Sequence, residues 1–210
     1  MLTMSLLQSD AEQFKLNQAV SLDGANDFIN TNISLADEDW TATGTFVFDV
    51  VNTYQVMFGQ GAGTGNQGFF LRISNGGKVQ LYAGGGYVND GDSLSALSAS
   101  TSYDFKVIYT SSTDNYAVSF KQTGTPNYTA LFNGARSTTF DDGGTLVIGQ
   151  KGSGNYLNGQ CRAFEVNGSS PVKYNFNAFR NTTSIHNIAA TQVGTPTNTT
   201  LSDFWSPLYV

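Results

Sequence analysis

The sequence predicts an all-β protein in which two antiparallel sheets pack face to face as a sandwich. Its 210 residues include 23 glycines, 10 tyrosines and 15 phenylalanines, while only 12% are charged. Aromatic and β-branched residues favour strands, and Gly, Asn and Ser favour tight turns. Apolar residues alternate from Val20 to Phe176 in short runs, without long stretches of helix formers. This alternation is typical of strands with one buried face.

Short strands separated by turn residues are predicted along the chain, which is long enough for one large sandwich with a sizeable core. In the strand at 45–50, Phe46, Phe48 and Val50 are predicted to point inward, with Val47 and Asp49 outward. The predicted strands cover residues 19–22, 27–29, 45–50, 55–59, 69–74, 78–83, 103–109, 116–122, 145–149, 159–167 and 172–176.

Two hairpins are predicted most firmly. The first turns at Asn75-Gly76, because Asn-Gly between alternating strands is the strongest short hairpin signal. Facing its apolar residues toward the core places Arg72, Gln80 and Tyr82 together on the outer face. The second hairpin joins strands 103–109 and 116–122, and its inward residues are Tyr103, Phe105, Val107, Tyr109, Tyr116, Val118 and Phe120.

The single cysteine excludes an intramolecular disulfide. Cys161 lies in a predicted strand, in step with Ala163, so we expect a small buried apolar residue rather than a nucleophile. The only histidine, His186, has no Cys or Ser partner at a recognisable spacing, which argues against a catalytic role.

Both ends of the chain differ from the predicted sandwich. Residues 1–16 are interpreted as an N-terminal arm, residues 17–176 as the sandwich, and residues 177–210 as a C-terminal extension. Apolar ends of this kind usually dock on their own body or on a neighbour. The residues predicted to anchor the protein are Met1, Leu2, Met4, Leu6, Leu7, Phe204, Trp205, Leu208 and Tyr209.

The most specific sequence pattern in the chain lies within residues 143–168. It consists of a Leu-Val-Ile-Gly strand end, a Gly-Ser-Gly-Asn turn and then Tyr-Leu-Asn-Gly-Gln. Together with the segment LDGANDFI at 22–29, this resembles the laminin-G-like, concanavalin A-like jelly rolls. The chain departs from that family at Ser102-Tyr103, where members often carry Trp-His. The resemblance spans about residues 17–176 and implies a jelly roll of the kind found in lectins, glycanases and virion surface proteins.

The formal net charge of −6 and the pI of about 4.5 argue against nucleic acid or an anionic membrane surface as a partner, since phosphate binding needs clustered Lys and Arg. No run approaches the roughly 18 apolar residues of a membrane span. The start of the sequence lacks the basic segment and the long apolar segment of a secretion signal. We therefore expect a protein made in the cytoplasm, without membrane insertion.

A glycan site is predicted on the outer face of the first hairpin. Protein–sugar sites combine aromatic platforms with amides and carboxylates that bond hydroxyl groups. The alternative is that the tyrosines only cover the sheet and the loop is a solvated turn. The residues that supply this mixture are Arg72, Gln80, Tyr82, Tyr87, Asn89, Asp90 and Asp92.

Calcium is the one cofactor that the sequence suggests, because hard cations prefer loop carboxylates and carbonyls. Asp90 and Asp92 are the candidate ligands, and two further pairs are Asp141 with Asp142 and Asp23 with Asp27. Laminin-G-like relatives often bind Ca²⁺, but Asp is also common in turns for its own hydrogen bonds.

Glycoside hydrolysis is not expected, although related sandwiches hydrolyse β-glucans. Those enzymes place two carboxylates on one strand, facing one groove. The three glutamates here, Glu12, Glu38 and Glu165, do not form such a pattern.

The favoured function is a non-enzymatic virion surface protein, either a capsid decoration or a tail-fibre component. The sandwich would face outward, the ends would anchor it to other virion proteins or to copies of itself, and cell-surface glycans would be a second partner. A free-standing carbohydrate-binding lectin is the alternative, and a glycan hydrolase is a distant third.

Overall fold

The computed structural model describes residues 19–61, 68–88, 96–135, 140, 143–150, 154–169, 171–175, 185–186 and 193–197. These residues confirm the all-β prediction, because they form strands and one short 3-10 turn at Ser111–Thr113. The strands in chain order are β1 (Val20–Asp23), β2 (Phe28–Asn30), β3 (Trp40–Phe48), β4 (Gln55–Gln60), β5 (Phe69–Ile73), β6 (Val79–Ala83), β7 (Gly86–Tyr87), β8 (Ser102–Thr110), β9 (Asn115–Gln122), β10 (Thr129–Ala135), β11 (Val147–Ile148), β12 (Asn158–Asn167), β13 (Val172–Asn175), β14 (Ile185–His186) and β15 (Val193–Thr197).

The strands form two antiparallel sheets. The first sheet has seven strands in the order β1-β12-β3-β8-β9-β10, with β13 also paired to β12. The second has eight strands in the order β14-β15-β2-β11-β4-β5-β6-β7. The sheets pack as a sandwich over a shared apolar core, as the alternation of the sequence predicts.

Aromatic rings join the two sheets across that core. Trp40 of β3 lies 5.0 Å from Phe69 of β5, and Phe58 of β4 lies 5.0 Å from Phe164 of β12, measured between ring centroids. Every second side chain from Trp40 to Phe46 is buried, because one face of β3 points to the opposite sheet. Aromatic pairs of this kind stabilise a core beyond the area that they bury.

The strand β3 is longer than predicted, and four strands, β7, β10, β14 and β15, were not predicted. β3 begins at Trp40 rather than at residue 45, and it ends at Phe48, so the half-buried Val50 lies outside it. Phe46 and Phe48 are buried as predicted. Val47 is also buried, although the sequence predicted an outward position. Val47 is paired with Gln160 of β12 on one side and with Ser102 of β8 on the other, and directly paired residues share a face of the sheet, so these neighbours flank it.

A bulge in β12 changes which residues after Cys161 point into the core. Cys161 is fully buried and free, as expected, and burial raises the pKa of its thiol. The pairing with β3 shifts between Cys161 and Ala163, so Phe164 and Val166 continue the buried face and Ala163 does not. The prediction that Cys161 and Ala163 are in step is therefore wrong, because a bulge adds one residue to one strand.

The second sheet includes strands that follow residue 176. β15 pairs with β2, and β14 pairs with β15. The predicted anchoring residues near both ends lie outside the described residues. Within the described ranges, no helix has the length and hydropathy needed to cross a membrane.

Candidate functional site

The β5–β6 hairpin places the predicted outer-face residues next to one another. Its register pairs Arg72 with Gln80 and Phe70 with Tyr82. The turn closes through Ser74, whose amide donates to the Lys78 carbonyl at 2.8 Å, and Gly77 adopts a φ of 71°. A glycine takes that left-handed conformation at no steric cost. The turn residues therefore fix which side chains share the outer face.

Arg72 lies at the centre of a cluster that we call the Arg72 surface. Its Nε donates to Gln80 Oε1 at 2.9 Å, and its Nη2 donates to the Tyr87 hydroxyl. The guanidinium carbon also lies 4.5 Å from the centroid of the Tyr54 ring and 5.2 Å from that of the Tyr87 ring. These contacts hold the cation in one orientation, since a guanidinium is attracted to ring faces at such distances.

The aromatic rings of the Arg72 surface lie at two depths, one buried and one near the solvent. Phe70 is the buried ring: it is 4% exposed and stacks on Tyr82, with ring centroids 4.8 Å apart. Tyr82 is half-buried and meets Tyr87 edge to face at 5.5 Å. Tyr54 and Tyr87 are 42% and 37% exposed. The upper rings are therefore pre-positioned by packing while their outer parts remain in solvent.

No described carboxylate forms a salt bridge with Arg72, whereas Lys121 and Lys173 pair with Asp104 and Glu165. Gln80, its hydrogen-bond partner, is neutral and buried. Within the part of the chain that the structure describes, the Arg72 charge is therefore held by dipoles and rings. Such a group can bond the oxygen atoms of a ligand without first breaking an ion pair.

The structure brings together four of the predicted glycan-site residues: Arg72, Gln80, Tyr82 and Tyr87. Asn89, Asp90 and Asp92 lie outside the described residues, so their predicted part in the site remains a prediction. Tyr54 was missed, because its neighbour β4 reaches β5 through the glycine-rich connection at 61–68, which does not fix a register.

Metal ligands are sparse in the described part of the chain, where no three His, Cys, Asp or Glu side chains come together. Of the further candidate pairs, Asp141 and Asp142 lie outside the described residues, and Asp23 and Asp27 are engaged in turn hydrogen bonds. Asp23 Oδ1 accepts from the Ala25 amide at 2.8 Å, and Asp27 Oδ2 accepts from the Asp23 amide at 3.0 Å. This agrees with the alternative interpretation of Asp23 and Asp27 as turn residues.

Comparison with known proteins finds relatives by structure but not by sequence. No family model matches the chain, and the search of curated proteins finds no match. The sandwich resembles that of the Ruminococcus gnavus IT-sialidase CBM40 bound to α2,3-sialyllactose, with a TM-score of 0.55 and 16% identity, over 71% of this chain and 89% of that chain.

Two further structures have similar sandwiches. A protein of Bacteroides ovatus, provisionally named a carbohydrate binding protein, has a TM-score of 0.61 and 13% identity, over 87% of this chain and 58% of that chain. The enzymatically active domain of bacteriophage CBA120 tailspike protein 2 has a TM-score of 0.54 and 16% identity, over 70% of this chain and 24% of that chain. At these identities the likeness establishes a shared fold, the predicted concanavalin A-like sandwich.

Proposed function

We propose that this chain is a lectin-like, glycan-binding sandwich whose Arg72 surface contacts the sugar. The observation that carries the proposal is the set of exposed tyrosine rings around a guanidinium that no described carboxylate neutralises. Similar sandwiches in structures named for carbohydrate binding support the proposal.

The chemistry of the Arg72 surface suits a sugar. Tyr82 and Tyr87 offer ring area against which the C–H face of a pyranose packs. Arg72 donates to ring or hydroxyl oxygens, with Gln80 fixing its direction at 2.9 Å. Few but convergent polar groups beside apolar area are what small-ligand sites usually contain.

A glycan array with the full chain tests this proposal. We expect Tyr82→Ala and Tyr87→Ala each to reduce the signal about tenfold, the loss of one ring contact and its hydrogen bond. Tyr128→Ala is the matched control: this tyrosine is 39% exposed and lies beside Lys106 and Lys121, away from the Arg72 surface. Thermal unfolding of all three variants checks that the sandwich persists.

Two outcomes would overturn the assignment of the Arg72 surface. One is an array with no signal above background for the wild-type chain. The other is a signal that survives both Tyr82→Ala and Tyr87→Ala but falls with Tyr128→Ala, which would move the sugar to the first sheet.

The finer proposal is that the sandwich serves on a virion surface, as a capsid decoration or tail-fibre component. Support comes from the likeness to a phage tailspike domain and from the apolar residues near both ends of the sequence. Other virion proteins and further copies of this chain would be its partners there. Made in the host cytoplasm, it would reach the virion by assembly.

Light scattering tests whether the terminal segments anchor the protein. It compares the full chain with chains that lack residues 1–16 or 204–210. We expect a symmetric oligomer, or recruitment to purified shells, that either deletion abolishes. A monomer that does not associate with shells would contradict the virion role and favour the free-standing lectin.

The protein is proposed to bind glycans without cleaving them. Incubation with a broad polysaccharide panel is expected to release no reducing sugar, and release that depends on one carboxylate would favour the hydrolase alternative. Calcium at Asp90 and Asp92 is proposed as a separate feature. Array signal that falls on chelation and returns with added Ca²⁺ would support it, and an unchanged signal would contradict it.

A further inference from the structure

A polar cleft of about 510 Å³ lies beside the Arg72 surface, at one end of the sandwich. Its polar lining comprises four asparagines, two tyrosines and one threonine: Asn52, Asn75, Asn155, Asn158, Tyr54, Tyr156 and Thr53. They come from the loop between β3 and β4, the β5–β6 turn and the start of β12. The volume falls within the roughly 300–1,000 Å³ of small-ligand pockets.

The lining of this cleft is uncharged, so it differs from the Arg72 surface. Every described residue that lines it is neutral. Each asparagine amide carries two N–H donors and one carbonyl acceptor. Adjacent hydroxyl groups of a sugar present the same mixture of donors and acceptors. A neutral, hydroxyl-rich molecule therefore satisfies the cleft better than an ion does.

The asparagine side chains are available to a ligand. Among the described residues, the structure records no hydrogen bond from the side-chain amides of Asn52, Asn75, Asn155 or Asn158. The backbone beneath them is well bonded: the Val56 amide donates to the Asn155 carbonyl at 2.8 Å, and the Asp49 amide donates to the Asn158 carbonyl at 3.0 Å. The hydrogen-bonded backbone thus fixes the position of these side-chain amides without using their own donors and acceptors.

Gln55 holds the floor of the cleft in position. Its side chain is buried, at 1% exposure, and bonds both walls. Nε2 donates to the Val50 carbonyl at 2.7 Å, and Oε1 accepts from the Asn158 amide at 2.8 Å. A buried, fully engaged amide of this kind makes the two loops one rigid unit.

Tyr54 belongs to both regions. It lines the cleft, and its ring centroid lies 4.5 Å from the Arg72 guanidinium carbon. The cleft and the Arg72 surface are therefore continuous across one exposed ring. A linear oligosaccharide can place one sugar in the cleft and the next against the rings around Arg72.

We propose that the asparagine-lined cleft binds one neutral sugar residue of the same glycan that contacts the Arg72 surface. The proposal rests on the glycan-binding function above and assigns to it a second subsite. Because the cleft lacks charge, binding there is expected to be insensitive to salt, unlike attraction to an exposed cation.

Amide chemical shifts of the labelled full chain test the cleft directly, with the methyl glycosides of glucose, galactose and N-acetylglucosamine as probes. At least one probe is expected to shift the amides of Asn75, Asn155 and Tyr156. Asn52→Ala and Asn155→Gly should each weaken the binding of that glycoside about three- to tenfold. A change of this size corresponds to the net free energy of one hydrogen bond. Asn155 has a φ of 58°, and Gly retains this left-handed backbone while removing the amide.

Asn127→Ala is the matched control, since Asn127 is an exposed loop asparagine away from the cleft. Equal weakening by Asn127→Ala, or no shift at the cleft with any of the three glycosides, would overturn the subsite. Array signal that still depends on Tyr82 and Tyr87 would then leave the proposed function standing. Loss of that dependence with an intact cleft response would overturn the Arg72 surface alone.

Discussion

Two aromatic clusters lie back to back in this sandwich, and neighbouring residues of β5 belong to opposite ones. Phe69 points into the core, where its ring is 5.0 Å from Trp40. Phe70 points outward, where Arg72 and Tyr82 cover it. The same residue type thus packs into the core on one face and supports the Arg72 surface on the other, because side chains alternate along a strand.

The clusters differ in how their polar groups are satisfied. In the core, the hydroxyl of Tyr109 reaches Asp37 Oδ1 at 2.7 Å and Asp114 Oδ1 at 2.9 Å, and burial with these contacts raises its pKa. On the Arg72 surface the polar centre is a cation whose described partners are neutral. The polar hydroxyl of Tyr109 in the core is thus bonded to carboxylates of the chain itself, whereas the cation of the surface cluster is bonded to neutral groups among the described residues.

The largest effect is expected from truncating the core cluster. Trp40 contacts the rings of Phe69, Tyr109, Tyr116 and Phe140. Trp40→Ala should lower the free energy of unfolding by about 3–5 kcal/mol, as large-to-small core changes do. Urea denaturation measures the loss, with Tyr82→Ala as the surface counterpart. Equal losses in the two variants would erase the distinction between the clusters.

Alkaline pH should weaken the core cluster selectively. Burial raises the pKa of Tyr109, Tyr116 and Tyr174 above the value of about 10 found in unfolded chains. The unfolded state then loses protons that the folded state keeps, so stability is complete below pH of about 10 and falls as the pH rises further. Denaturation midpoints that stay constant from pH 8 to about 11 would contradict this linkage.

A smaller effect is expected from removing one buried hydroxyl. Tyr109→Phe should cost about 1–2 kcal/mol, since the bond to a carboxylate is lost while the ring remains. Tyr116→Phe is the matched control, because its hydroxyl has no recorded partner among the described residues. The difference between the two variants isolates the hydrogen bond from the packing of the ring.

The smallest effect on stability is expected at the centre of the surface cluster. Arg72→Met keeps much of the aliphatic length, so the free energy of unfolding should change by less than about 1 kcal/mol. Glycan binding should nevertheless fall strongly, because the oriented donor is gone. A large loss of stability with unchanged binding would mean that Arg72 supports the fold rather than the site.

The sequence alone predicts the β5–β6 part of the site well. Asn75-Gly76 fixes the turn, and the turn fixes that Arg72 faces Gln80. Tyr54 could not be placed in the same way, since glycines in a long connection leave the register of β4 open. β10 was missed because most of its side chains are exposed and a register shift between Ala130 and Phe132 interrupts the alternation.

The asparagine-lined cleft could not be predicted from the sequence for a similar reason. Its asparagines are distant in sequence, and each one alone reads as an ordinary turn residue. Only the pairing of β12 with β1 and β3 brings Asn158 to the loop that follows β3. Gln55 carries no signal in the sequence for its buried role, since glutamine is usually a surface residue.

The most direct test is a crystal structure of the full chain with the glycan that gives the strongest array signal. The account predicts a sugar ring against Tyr82 or Tyr87, with an oxygen atom bonded to Arg72. A glycan seated on the outer face of the first sheet, with the Arg72 surface empty, would contradict it.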